Sequence, residues 1–301
     1  MINDFVPLFL GASHLKRDEW VGHNTPLVNE LFDLQNNEFV SCSDATYSYC
    51  QKSFNNSLQR DTWSSQKKRH LVKPFVICAT DGYIIDLYGP YKAKDNDTTI
   101  LRELMCKNKE LRELHKPKDL MILDRGFRDV VRELKSDYEL NVKMPICVPN
   151  SRKDGRLTTL EANMSRFVTK IRYIIEVING VFKNSFKALD SIINKRIKNI
   201  INDYRIAAAL INAFHKRRFT DGAAAVEVAK LMKAKKNTKN LLETGTKKFV
   251  LGKNFVKLDA LNINDFPKIE NISDIERYIT FGSYQLKQAE SYIGILTLII
   301  Y

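Results

Sequence analysis

The chain has 301 residues, 44% of them apolar and 28% charged, with a formal net charge of +13. A globular chain of that length removes roughly 75% of its extended-chain surface from water on folding, so the composition excludes a disordered protein and leaves room for an enzyme core with an appended subdomain. The charge is confined: residues 151–260 hold 24 Lys and Arg against 9 Asp and Glu, a net +15, and the rest of the chain sums to −2.

Ser13 to Phe32 predicts one or two short helices, the second opened by Thr25 as N-cap with Pro26 at the first helical position. Phe39–Tyr49 (FVSCSDATYSY) alternates small or apolar with polar residues and predicts a strand, followed by a polar loop, QKSFNNSLQRDTWSSQKKRH. The runs LVKPFVICAT and YIIDLYG flank Asp81-Gly82, a hairpin-turn signal, so three consecutive strands form an antiparallel meander. TTILRELMCKNKELREL has helical spacing, DLMILD predicts a short buried strand, Phe127–Lys135 a short helix and Val142–Val148 a fifth strand.

A loop, PNSRKDGR, leads to a long helix beginning near Thr158, with Leu160, Met164, Phe167, Ile171, Ile174, Ile175, Ile178 and Phe182 near the 3.6-residue period. IINKRIKNIINDYRIAAALINAF and AAAVEVAKLMKAKK continue the helical pattern into a Lys-rich surface, and ISDIERYITFGSYQLKQAESYI predicts one or two amphipathic helices. The order strand, strand, strand, helix, strand, helix, strand requires a mixed sheet covered by helices on both faces.

Cys42, Cys50, Cys78, Cys106 and Cys147 form no Cys-x-x-Cys pair and lack histidines at zinc-ligand spacing, so they read as buried small residues in a reducing compartment. The opening lacks a signal-peptide pattern, and IGILTLIIY is too short to span a bilayer; an intracellular, soluble protein is expected.

Three acids stand out by position. Asp44 lies in a strand of small, apolar and hydroxyl residues, where an unpaired carboxylate is costly to desolvate. Asp124 closes MILD and precedes Arg-Gly-Phe, with Gly126 expected to allow a tight turn. Glu176 falls on the long helix with Arg172, Asn179, Gly180 and Lys183 on its face. Such a trio suits a pair of hard divalent cations acting on a phosphodiester, with Arg172, Lys183 and Lys187 holding phosphates along the helix. Taken singly, each acid has an ordinary alternative: a solvent-facing edge residue, a turn former, and the partner of Arg172 in an ion pair one turn apart.

The surrounding stretches SDATYSYCQKSFNNSLQR, WSSQKKRHLVKPFVICATDGYIIDLYGPYKAKDNDTTIL, LDRGFRD and RFVTKIRYIIEVINGVFKNSFKAL resemble the catalytic domain of PIF/Harbinger-type transposases, a DDE superfamily endonuclease group. The resemblance runs over roughly residues 40–215. It implies an RNase H-like α/β fold with a five-stranded mixed sheet, and makes Asp44, Asp124 and Glu176 the catalytic, metal-binding acids, with Mg2+ or Mn2+ as cofactor. By the same resemblance Asp97 is a supporting acid, and Lys67, Lys68 and Lys73 are DNA-facing positions. A solvated hairpin explains those lysines equally well. Ala45 stands where relatives often carry glycine.

The domain reading is a short helical segment over 1–38, a remnant of a DNA-binding region; a DDE catalytic domain over 39–215; and a basic, mainly helical extension over 216–301. The implied function is a nuclear, metal-dependent endonuclease or transposase that hydrolyses double-stranded DNA and, as a transposase, joins the freed 3′-hydroxyl to a target. An accessory DNA-binding protein and a homo-oligomer are the expected partners, and no membrane. The alternative is a catalytically inactive, domesticated scaffold that binds DNA or protein. An RNA-processing nuclease is weaker, since no stacking-aromatic platform stands out in the sequence.

Overall fold

A computed structural model describes residues 1–148, 156–215, 222–238 and 270–275. Met1–Lys239 forms one compact unit, and Asn240–Tyr301 forms a second that contributes only the single-turn helix Ile272–Ile275 to the described residues. The remaining C-terminal helices expected from the sequence lie outside the described residues.

The sheet has eight strands rather than the expected five: β1 (Val40–Ala45), β2 (Ser48–Cys50), β3 (Trp63–Ser64), β4 (Arg69–Ala79), β5 (Ile84–Lys92), β6 (Leu120–Ile122), β7 (Asn141–Lys143) and β8 (Ser191–Ile192). The five expected strands are all present in the order β5-β4-β1-β6-β7. β4 pairs antiparallel with both β1 and β5, and β1, β6 and β7 run parallel. The extra members are short. β2 continues the chain of β1 along the same edge of β4, β3 pairs with the start of β4, and β8 pairs with β2.

Helices α1 (Val6–Phe9), α2 (Arg17–Gly22) and α3 (Pro26–Phe32) precede the sheet, and α4 (Asn56–Thr62) interrupts the polar loop. α5 (Asp97–Lys107), α6 (Lys109–Leu114) and α7 (Val131–Ser136) follow β5 and β6, and α8 (Thr159–Ser185), α9 (Ile200–Phe214) and α10 (Gly222–Lys235) complete the unit. α4 forms because the Asn55 side chain accepts from Ser57 N and Leu58 N, satisfying amides that a helix start leaves unpaired. The helix predicted through Asn108 is divided there, since Asn108 closes α5 and caps α6 through Leu111 N.

Strand alternation divides the core by face. Val40, Cys42, Val76, Cys78 and Ile84 pack with Phe167, Ile171, Ile175 and Phe182 of α8 and with Tyr204 and Ala208 of α9. Phe39, Ala45, Phe75, Ile77 and Met121 pack on the opposite side with α5, α6 and α7. The fold is therefore a mixed sheet between two helical layers, consistent with an RNase H-like arrangement.

Three devices fix α8 and α9 on their face. Thr158 and Glu161 form a reciprocal capping box at the start of α8. At the β4–β5 hairpin Gly82 takes φ +89°, and a Cβ there would stand 3.2 Å from Ile178 Cδ1 and 3.3 Å from Ile174 Cδ1, so the turn approaches α8 as only glycine permits. Asn212 of α9 accepts from Ile84 N and donates to Ile84 O, giving the outer edge of β5 a partner that is not a strand. Among the described residues no helix is long and apolar enough to cross a membrane.

Candidate active site

β1 and β6 are parallel neighbours with Cys42 opposite Ile122. The same offset carries Asp44 to the level of Asp124, just past the end of β6. Both positions share the parity of Cys42 and Ile122, whose side chains belong to the core under α8. Sheet register thus places two aspartates from strands ~4.8 Å apart on the face that α8 covers. Each uses Oδ1 locally: Asp44 Oδ1 accepts from Ala45 N at 2.9 Å and Asp124 Oδ1 from Arg125 N at 2.7 Å. Each turns Oδ2 to the same partner.

That partner is Arg172, which flanks the buried stripe of α8. Its Nη2 lies 3.3 Å from Asp44 Oδ2 and 3.4 Å from Asp124 Oδ2, and its Nη1 donates to Glu176 Oε1 at 2.6 Å. The two aspartate oxygens are consequently no farther apart than twice the longer of those distances. One guanidinium gathers acids from β1, the turn after β6 and α8.

The fourth acid stands close by. Asp97 opens α5, where Asn96 supplies the N-cap, and its Oδ2 is 3.8 Å from where a Cβ on Gly126 would sit. Gly126 lies inside the short 3-10 turn Arg125–Val130 with an ordinary backbone, so its contribution here is small size rather than a left-handed conformation. Lys73 donates to Asp95 O at 2.6 Å and stands 3.4 Å from Asp97 Oδ1. This expected DNA-facing lysine is therefore turned inward. A register shift between Lys73 and Phe75, around Pro74, accompanies that turn.

Burial is the largest influence on Asp44, whose side chain is 18% exposed, and it raises the carboxyl pKa from 3.8 to about 6. Arg172 and the Ala45 N–H oppose the rise, whereas the charges of Asp97 and Asp124 add to it. Tyr47 is pushed up to about 12, first by burial and then by Asp97 and Asp44. Carboxylates outnumber the cations beside them. Arg172 Nε, moreover, is buried with no hydrogen-bond partner among the described residues, a cost a settled structural ion pair would be expected to avoid.

The remaining predicted positions lie around this cluster. Lys183 pairs with Asp190 at 3.4 Å and stands over the Tyr49 ring. Lys187 is exposed. Lys67 is exposed over the Tyr47 ring, and Lys68 is exposed in a left-handed turn at φ 54°. Sequence reasoning placed Arg172 beside Glu176 but missed its reach to Asp44, and it missed the Lys73–Asp97 pair. Spacing along one helix carries no information about which strand ends it faces.

A family model for the DDE superfamily endonuclease matches residues 43–212. This chain belongs to that family. The match begins one residue before Asp44 and ends within α9, so it takes in the second half of β1, all of β6 and α8, and with them all four acids. Membership in the DDE superfamily endonucleases implies a nuclease or transposase, and endonuclease domains of this kind generally use divalent metals. No curated protein and no solved structure matches the chain.

The donor set fits a hard divalent cation in kind: carboxylate oxygens only, with negative charge in excess. Its present spacing is that of a guanidinium complex. Among the described residues no three potential ligands stand close enough to hold a metal ion as they are. Arg172 fills the place the acids share.

Proposed function

We propose that this protein is a metal-dependent DNA endonuclease of the transposase type, with Asp44, Asp124 and Glu176 as its metal-holding acids and Mg2+ or Mn2+ as cofactor. The observation that carries the proposal is the convergence of those three carboxylates, from three separate elements, on one cationic group. Bound divalent cations would activate a water or hydroxyl and stabilise the leaving oxygen of an in-line phosphodiester displacement.

The chain's own residues have separable parts in this reading. Asp44 and Asp124 keep their Oδ2 atoms free of backbone hydrogen bonds, so these oxygens can exchange one cation for another. Glu176 is half-exposed and closes the cluster from the solvent side. Asp97, held by Lys73, adds negative potential without facing Arg172. Arg172 acts as the resident counterion of the acids, and with a metal in its place its guanidinium would be available to hold a phosphate. Exposed Arg125 and Lys187 extend that phosphate track. Strand transfer, the PIF/Harbinger subtype, an accessory DNA-binding protein, homo-oligomerisation and a nuclear location belong to the same proposal.

The position of Arg172 also favours a second reading, a scaffold that binds DNA and in which the guanidinium permanently replaces the metal. The experiment is nicking of supercoiled duplex DNA in Mg2+ or Mn2+, comparing wild type with the combined Asp44→Asn, Asp124→Asn and Glu176→Gln variant. The nuclease reading expects nicking by wild type alone, abolished by EDTA. Equal behaviour of the two proteins would leave the scaffold.

A further inference from the structure

Away from the acids, the first turns of α4 and the β3–β4 corner enclose a cleft of about 690 Å3 lined by Lys52, Asn56, Gln59, Arg60, Trp63 and His70. Its chemistry is unusual for a surface that only meets water. Trp63 is 42% exposed, and neighbouring Phe54 is fully exposed. No acid lines the cleft, and neither Lys52 nor Arg60 enters an ion pair among the described residues.

The walls are ordered by contacts that leave their binding groups available. Trp63 and His70 are cross-strand partners with rings 5.1 Å apart, nearly edge to face. The Thr62 hydroxyl donates to Leu58 O at 2.8 Å and so accepts from His70 Nδ1 at 3.1 Å, which fixes the ring through Nδ1. Asn56 and Gln59 add amide donors and acceptors. An indole face, an imidazole ring and two amides suit the flat, polar-edged surface of a nucleobase, while Lys52 and Arg60 suit its phosphates.

Ring and cation pairs also stand at Tyr47 and Tyr49. Arg69 and Lys183 stand over Tyr49, Lys67 stands over Tyr47, and Tyr47 feels the charges of Asp97 and Asp44. His70 and Val76, the partner of Asp44, are separated along β4 by a distance of roughly 20 Å at the usual strand rise. The sequence alone does not reveal this cleft, because Trp63 and His70 come together only through the pairing of β3 with β4.

We propose that this cleft binds unpaired nucleotides of a DNA strand, with Trp63 stacking on a base and Lys52 and Arg60 holding the adjoining phosphates. A duplex keeps its bases stacked inward and cannot present one to Trp63; a strand opened near the acids can. This site requires no metal and does not depend on cleavage.

The test uses the full chain in EDTA. The protein has two tryptophans, and Trp20 is buried at 1% exposure, so quenching by an added oligonucleotide reports on Trp63 while Trp20 emission reports folding. Oligo-dT should quench saturably, and a duplex of the same length should quench little. Trp63→Ala should weaken oligo-dT binding, followed by anisotropy, about tenfold or more and duplex binding less than about twofold, with Trp63→Phe retaining most of the affinity. Lys52→Ala with Arg60→Ala should flatten the salt dependence of oligo-dT binding. Oligo-dT binding in EDTA should persist whether or not wild type nicks DNA in Mg2+, which separates this site from the nuclease reading. Absence of Trp63 quenching, or equal losses of single-strand and duplex affinity in Trp63→Ala, would overturn the proposal.

Discussion

Replacing Asp44 by asparagine should make the metal-free protein more stable. The carboxyl pKa rises from 3.8 in the unfolded chain to about 6 in the fold, which makes ionisation of the folded state costly by roughly 3 kcal/mol above pH 6. The sign follows from proton binding. Below 3.8 both states hold the proton and there is no penalty; between 3.8 and about 6 the folded state alone holds it, so stability falls as pH rises. The asparagine of the Asp44→Asn variant would keep the acceptor for Ala45 N–H but turn an amide toward Arg172, returning about 1 kcal/mol of the gain. The expected net gain is thus about 2 kcal/mol at about pH 7.5 and close to zero at about pH 5, because the penalty there is only about half developed. Urea denaturation in EDTA at both pH values measures it. A variant less stable than wild type at the higher pH, or a gain that ignores pH, would mean that burial does not hold the Asp44 carboxyl pKa up. Saturating Mn2+ should reverse the order, since metal that binds only the folded wild type adds stability by mass action.

Arg172→Ala removes the counterion that the three acids share. In EDTA it should lose about 1–2 kcal/mol, a modest figure because Asp124 and Glu176 are 44% and 52% exposed and water screens them. Its Mn2+ affinity by calorimetry should exceed that of wild type, and an unchanged or weaker affinity would contradict the counterion role. Gly82→Ala should cost about 1–2 kcal/mol from its left-handed φ, and more if Ile174 and Ile178 cannot yield. Chemical denaturation checks this, and a neutral result would mean that the hairpin does not fix α8.

The sequence showed much of the fold because the strongest signals are local. The alternation in Phe39–Tyr49, the Asp81-Gly82 turn and the apolar stripe of α8 all appear as strand, hairpin and helix. Weaker signals failed where a polar composition hid a cap: Asn55 opens α4 inside what looked like a loop. The predicted strand over Val142–Val148 shrinks to Asn141–Lys143, with Pro145, which has no N–H for a ladder, soon after it. The predicted helix from Ile192 is shorter too, with β8 and a 3-10 turn taking its first residues.

At the site, the acids were visible as carboxylates in costly places, but their meeting point was not. Asp44 and Asp124 are level only because β1 and β6 are parallel in a particular register. Arg172 reaches both only because α8 crosses that strand end. Lys73 looked like any hairpin lysine until the shift around Pro74 turned it to Asp97. Such facts belong to tertiary pairing, which no local period encodes.

Anomalous diffraction from crystals soaked in Mn2+ would locate the metal relative to the three acids. Manganese density should be bonded to oxygens of Asp44, Asp124 and Glu176 at about 2.2 Å, with the Arg172 guanidinium displaced from among them. Manganese absent from that cluster, with Arg172 still bridging the three carboxylates, would contradict their role as metal-holding acids.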